Sequence, residues 1–506
     1  MSMAVPPVGI QVPGTFPSLA LNVLVLACVF LLTKILHNLY FHPLSKYPGP
    51  KIFAATSLAS SYYLFRGTRA YRISELHNRY GPIVRFGPNE LSYVNEQAWK
   101  DIYGSQKAST GIQLKKKARV TPMSYLSLFP NPSDEAHNRL RKVVAPGFSE
   151  KGIRDRETLL QQHVTSLILK LSEKSGNPVD LIWWMDCTAS DNLGDMVFGQ
   201  PFGALETETF PEVLHQADAS LKELAFNILY EQYLLGKIWT KIRERFTPRR
   251  VNSFFPSFVA ENLQKRGKRL AEQGGNGAEV NDINAGTSRG LQPEEIAVVS
   301  VDLMIAGADT IITALSLQAL SHEIRSTFES ESDMTLAALQ NLKYLNAVLN
   351  ESLRLFPAAP ETTRRVTNPG GNVICGDLIP TAVGVYYWAA GHNASSWHKV
   401  ESFIPERWLG DDKFKDDARG VVNHFAVGPR NCVGQTLALA QMRLFVARLI
   451  WNFDMELCDE SKKWWGMRTF VLTYAKPPLM MKLKPVVRFL FAKTLAFGVL
   501  YADLLT

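Results

Sequence analysis

The chain has 506 residues, of which 46% are apolar and 20% charged, and a formal net charge of +8. That balance excludes a disordered chain, and five scattered cysteines without any C-x-x-C exclude a disulfide framework and a structural zinc site. The basic excess suits an acidic protein partner or an anionic membrane; with no basic cluster beyond Lys115, Lys116 and Lys117, nucleic acid is excluded as a partner.

Residues 1–16 contain neither Lys nor Arg and read as a lumenal tail. Residues 17–36, PSLALNVLVLACVFLLTKIL, carry no charge from Leu19 to Leu32. A helix of about twenty such residues, at about 1.5 Å each, crosses a hydrocarbon layer of about 30 Å. Lys34, Lys46 and Lys51 follow it. The basic flank predicts a single-pass protein of the endoplasmic reticulum membrane with its body in the cytosol. A cleaved signal peptide is disfavoured, because the basic leader and small-residue cleavage site are missing. Residues 37–50 end in KYPGP, a stiff Pro/Gly hinge.

Residues 51–485 read as one catalytic body. A helix is predicted near Tyr71–Tyr80, then a hairpin across GPIVRFGPNELSYV. From Glu135 to about Arg325 apolar residues recur at helical spacing, for example through NRLRKVVAPGFSEKGI and ETLLQQHVTSLILKLSEK. Gln273–Gly290 is a Gly- and Asn-rich loop. Pro293 opens a long helix to about Phe328, apolar nearly all round. Short strands follow at GNVICGDLIP and AVGVYYW. The fold class is mainly α with a small β region, preceded by a transmembrane helix. Residues 486–506 form an apolar tail carrying Arg488, Lys493 and Asp503, and read as a membrane-interfacial helix.

Four stretches carry chemistry. Within the long helix, IAGADT (Ile305–Thr310) breaks local rules together. Gly307 costs about 1 kcal/mol relative to Ala, and Asp309 and Thr310 are polar among apolar neighbours. A groove with a proton relay would explain the break; so would a kink with Thr310 bonding back to a carbonyl. In NESLRLFP, Glu351 and Arg354 stand one helical turn apart, which by itself also describes a solvated ion pair. In FIPERW, Arg407 lies between bulky apolar residues and could bridge to Glu351, or simply mark a proline turn.

The fourth stretch is FAVGPRNCVG, Phe425–Gly434. Gly428, Pro429 and Gly434 predict a tight turn before a helix starting near Gly434. A cysteine just before a helix meets aligned N–H dipoles that favour thiolate. Arg430 offers a fork for a carboxylate. These groups suit a metal macrocycle bearing acid groups. A buried cysteine in a turn and a nucleophilic cysteine without an evident histidine base are the rivals.

Taken together, the four stretches resemble the cytochrome P450 superfamily over nearly the whole chain. Its F-x-x-G-x-R-x-C-x-G pattern matches Phe425, Gly428, Arg430, Cys432 and Gly434. Its A-G-x-D/E-T pattern matches Ala306, Gly307, Asp309 and Thr310. Its E-x-x-R matches Glu351 and Arg354, and its P-E-R loop matches Pro405, Glu406 and Arg407. Where the family often has Trp four residues before an Arg, this chain has His137 before Arg141.

The resemblance implies a haem b cofactor with Cys432 as axial iron ligand. It implies propionate contacts from Arg430, His137, Arg141 and Arg365, and proton delivery to O2 by Thr310 with Asp309. Glu351, Arg354 and Arg407 would be scaffold. The chain has no G-x-G-x-x-G, so electrons are expected from an NADPH-cytochrome P450 reductase. LYFHPLSKYPGP and SSWHKVESFIPERWLGDD are similar to membrane-bound fungal enzymes of secondary metabolism, of the isotrichodermin C-15 hydroxylase type. That implies a lipophilic terpenoid, polyketide or alkaloid substrate. A redox-neutral haem-thiolate isomerase or dehydratase, and a non-enzymatic haem carrier or sensor, are the alternatives.

Overall fold

A computed structural model describes residues 16–104, 115–116, 128, 133–216, 318–362, 364–464, 466–470 and 473–486, with isolated positions between 242 and 299. The loop Gln273–Gly290, the motif Ile305–Thr310 and the tail beyond 486 lie outside the described residues. Of the long helix expected from Pro293, the described stretch is Gln318–Thr327.

The helix Phe16–Leu36 continues as a wider π-helical turn through His37–Phe41. Residues Leu21–Phe41 are long and apolar enough to cross a membrane, and their side chains stand almost entirely clear of the body. Asn38 ties the end of this helix to the body by donating its amide to the Ala55 carbonyl at 2.9 Å.

The body has two hydrophobic cores. The smaller is built on a five-stranded sheet. Its strands are β1 (Ile83–Gly87), β2 (Glu90–Tyr93), β3 (Lys115–Lys116), β5 (Arg365–Val366) and β8 (Ala382–Val385). They lie in the order β1-β2-β8-β5-β3. β1 and β2 form the predicted hairpin, with a bulge between Arg85 and Gly87. β2 runs parallel to β8, pairing Glu90 with Ala382 and Tyr93 with Val385. The strand expected through AVGVYYW stops at Val385, and Tyr387–Gly391 is a helical turn instead. Trp388 donates its N–H to the Pro360 carbonyl at 3.1 Å, which takes the backbone out of the ladder. A separate hairpin pairs β6 (Asn372–Ile374) with β7 (Asp377–Ile379).

The larger core is helical. Glu157–Glu173 buries Leu160, Val164, Leu167 and Leu171, spaced by one turn, against Leu181–Phe198 and Gln435–Asn452. Each such side chain contributes about 1.5–3 kcal/mol on leaving water. β4 (Pro178–Asp180), β9 (Phe453–Leu457) and β12 (Met480–Pro485) close its edge as a three-stranded sheet, β4-β12-β9. A two-stranded pair of β10 (Arg468–Phe470) and β11 (Thr473–Ala475) lies nearby in the chain. The helical spacing through NRLRKVVAPGFSEKGI is interrupted at Pro146, which lacks an N–H to donate. Asp134–Val144 therefore gives way to a 3-10 turn, Ala145–Phe148, and Ser149 caps a new helix, Glu150–Arg154.

Candidate active site

The cysteine loop sits at the seam of the two cores. Phe425 and Val433 pack against the helical core, while Val422, Ala426 and Val427 pack against the sheet core. The loop is closed by Cys432 N–H to the Phe425 carbonyl at 2.8 Å and Asn431 N–H to the Gly428 carbonyl at 3.0 Å. Gly428 has φ +79, and a Cβ there would fall 1.9 Å from the Tyr103 carbonyl oxygen. Only glycine lets this turn rest on the end of helix Glu96–Tyr103. Helix Gln435–Asn452 begins directly after Gly434, as the spacing predicted.

Three arginines converge here. Arg141, on helix Asp134–Val144, donates to the Asn431 carbonyl at 2.6 Å and to its Oδ1 at 2.5 Å. Ser133 caps that helix by accepting from Ala136 N–H at 3.2 Å, and Asp134 and Glu135 complement its dipole. Arg430 donates to Asp134 at 3.0 and 2.5 Å. Arg365, at the start of β5, is buried with its guanidinium 4.9 Å from the Tyr103 ring centre. Desolvation lowers its pKa, Tyr103 opposes that, and the charge of Arg430 adds to it. Tyr103 and Tyr387 both hydrogen-bond Thr362 beside them. His137 is buried one turn before Arg141, with Nδ1 3.3 Å from Asn138 Oδ1.

Desolvation by the surrounding protein raises the Cys432 pKa, and this outweighs the Gly434 N–H and Arg141, which both lower it. The helix-end donor is present, but by itself it does not produce a thiolate. A bound cation at the sulfur would supply what the dipole does not.

Several features suit a flat macrocycle carrying two carboxylates. Cys432 is accessible, and a Cβ built on Gly434 would meet nothing nearer than the Cys432 sulfur at 3.9 Å. Arg141, Arg365 and Arg430 bring three guanidiniums to the loop, donors of the kind that bind carboxylates.

A second cluster surrounds Glu351. Glu351 and Arg354 are fully buried and doubly bonded, at 2.8 and 2.9 Å. Arg407 reaches the same carboxylate at 3.0 Å, joined by Ile404 N–H and Trp408 Nε1, each at 2.9 Å. The solvated reading of Glu351 and Arg354 is therefore wrong, and the bridge from Arg407 is real. Desolvation pushes the Glu351 pKa up, but Arg354, Ile404 and Trp408 outweigh it and lower the value overall. Arg354 also donates to the carbonyls of Gly391, Val400 and Ser402, and Arg407 to that of His398 and to Asp417. Every strong donor has an acceptor within the protein, which marks a scaffold.

The structure thus gathers Phe425, Gly428, Arg430, Cys432, Gly434, Arg141 and Arg365 at one place, and Glu351, Arg354 and Arg407 at another. Ala306, Gly307, Asp309 and Thr310 lie outside the described residues. Sequence reasoning missed Asp134, Asn431, Tyr103, Thr362, Tyr387 and Asp417. Of these only Asp134 carried a signal, as an acid in the first turn of a helix already of interest.

The cytochrome P450 family matches the chain over residues 50–483. Cytochrome P450 monooxygenase astA of Talaromyces wortmannii is 34% identical over 481 residues, covering 92% of this chain and 97% of its own length. The monooxygenases lcsI of Purpureocillium lilacinum and alt3 of Alternaria solani are each 33% identical, covering 92% of this chain and 94% of their own.

Proposed function

Starting from a chain that belongs to the cytochrome P450 family and is a monooxygenase with a haem-thiolate cofactor, we propose that it oxidises a lipophilic secondary metabolite in a fungal pathway. The observation that carries the site reading is the gathering of three guanidiniums around an accessible Cys432. Cys432 would hold the iron of haem b, and Arg141, Arg365 and Arg430, with His137, would hold its carboxylates. The haem, when bound, supplies activation of O2 for transfer of one oxygen atom. Phe425, Gly428 and Gly434 keep the sulfur fixed and the face above it open. By the family pattern, Ala306 and Gly307 would be the small residues of the haem-binding helix, and Thr310 with Asp309 would hold the protons that the reaction consumes. Glu351, Arg354 and Arg407 stabilise the fold without touching substrate.

A monooxygenase of this family takes O2 and needs a redox partner. The partner we propose is NADPH-cytochrome P450 reductase, drawn to the basic chain by its acidic surface. The helix Leu21–Phe41 is proposed as a single anchor in the endoplasmic reticulum membrane, with the body cytosolic and residues 486–506 as an interfacial contact. The terpenoid, polyketide or alkaloid class of substrate rests on the likeness to isotrichodermin C-15 hydroxylase.

The test has two steps. Deleting the locus should accumulate a less oxygenated precursor. Feeding that precursor to the purified enzyme with reductase, NADPH and isotope-labelled dioxygen should place one labelled atom in the product. Conversion without label, or turnover without reductase, would refute the proposal.

A further inference from the structure

Tyr103 ends helix Glu96–Tyr103 and meets the site through three different groups. Its carbonyl oxygen is the atom on which Gly428 rests, in the turn that leads to Cys432. Its ring lies beneath the Arg365 guanidinium, with 4.9 Å between the guanidinium carbon and the ring centre. Its hydroxyl accepts the Val385 N–H at 3.2 Å and hydrogen-bonds Thr362.

The ring is fixed from several directions. Trp99, one helical turn earlier, packs on it at 5.0 Å and is itself pinned by donating Nε1 to the Val421 carbonyl at 2.7 Å. Tyr387 packs against Trp99 at 5.4 Å and also hydrogen-bonds Thr362. A Cβ built on Gly384 would stand 3.3 Å from Thr362 Cγ2 and 3.4 Å from Tyr103 Oη, so little space is left beside the hydroxyl. Tyr103, Thr362 and Arg365 are all buried.

The neighbouring Arg364 is held in another way, by the Glu90 carboxylate. A carboxylate partner consumes N–H donors of the guanidinium fork. An aromatic face attracts the cation through its quadrupole and takes none of them. A long side chain ordered in advance also loses less freedom when a ligand binds. The platform under Arg365 is therefore of the kind that readies a guanidinium for an acceptor from outside the protein.

We infer that Tyr103 is a positioning residue for the cofactor: its ring holds the Arg365 guanidinium in place for a haem carboxylate, while its carbonyl seats the turn that leads to Cys432. This rests on the proposed reading of Arg365 as a holder of haem carboxylate. It couples the hold on the iron and the hold on the rim of the macrocycle at one residue.

The full-length enzyme is loaded with haem b, or with haem whose two carboxylates are methyl esters, and haem transfer to excess competing apoprotein is timed. Tyr103 is replaced by Phe and by phenylalanines bearing one, two and three ring fluorines, which drain charge from the ring face at nearly constant shape. Loss of haem b should accelerate stepwise, by about tenfold from Phe to three fluorines. Loss of the diester should not change along the series. Tyr103→Leu should also speed loss of haem b by about tenfold, and should add nothing in the Arg365→Leu background. A flat series with haem b, or an equal acceleration with the diester, overturns the positioning role and leaves a packing role only. Equal effects of Tyr103→Leu with and without Arg365 overturn it too. Arg365→Leu releasing haem b at the wild-type rate is a different failure: it overturns the carboxylate reading of Arg365 itself, and the inference with it.

Discussion

The molecule contains two arginine clusters of opposite character. Around Glu351 one carboxylate receives five hydrogen bonds, and both arginines spend their remaining donors on backbone carbonyls, with Asp417 completing the set. Around Cys432, Arg430 bonds the Asp134 carboxylate, Arg141 bonds Asn431, and Arg365 is desolvated against the Tyr103 ring. The first cluster is complete without a ligand. The second gathers three guanidiniums beside a cysteine, the kind of donor that binds a carboxylate. The same residue type serves as mortar in one place and as a receptor in the other, and the ratio of acids to bases distinguishes them.

Four experiments separate the two clusters, beginning with the largest effect. Cys432→Ser should abolish thiolate ligation, seen as loss of the thiolate-type spectrum of the reduced, carbon-monoxide-treated protein, with turnover down at least about a hundredfold. The fold should survive. Arg407→Leu should do the reverse: it leaves Glu351 and Asp417 short of a partner in a dry environment and should destabilise the fold by about 3–5 kcal/mol, read by thermal unfolding.

Acid should strike the complete cluster through its neighbours. His392 and His424 are held neutral, near a pKa of about 4 against an ordinary 6.5, chiefly by desolvation. His392 lies flat on Trp388 at 4.1 Å, and the Nε2 of His424 has no hydrogen-bond partner. A depressed folded pKa means the unfolded chain takes up protons first. Their stabilising contribution is therefore whole above 6.5 and declines as pH falls toward about 4, on the order of 3 kcal/mol for His392. Unfolding midpoints across that range should fall, and His392→Phe should flatten the slope. Smallest in free energy is Arg365→Leu. It should weaken haem binding by about 10–100-fold, measured as faster haem transfer to a competing apoprotein, with little change in the unfolding midpoint of the haem-free protein.

Much of this was legible in the sequence because the cysteine loop and its flanking helix are local. Gly428 must adopt a positive φ and Cys432 must precede a helix wherever the loop ends up. The hairpin of residues 81–94 was equally local. What escaped depended on distant partners. Glu351 and Arg354 look like any exposed i,i+3 pair until Ile404, Arg407 and Trp408 close over them. Arg430 finds Asp134 across 296 positions, a pairing with no sequence signal.

The resting of Gly428 on Tyr103 has a consequence for the order in which the protein matures. The helix that ends at Tyr103 also donates Trp99 Nε1 to the Val421 carbonyl, across 322 positions. Strand β2 likewise waits for β8. During synthesis the early helix and strands emerge long before the segments that complete them, and such long-range closures are slow. The sulfur loop is therefore seated among the last pieces, so capture of the pigment should report on completion of the whole chain and not on its first half.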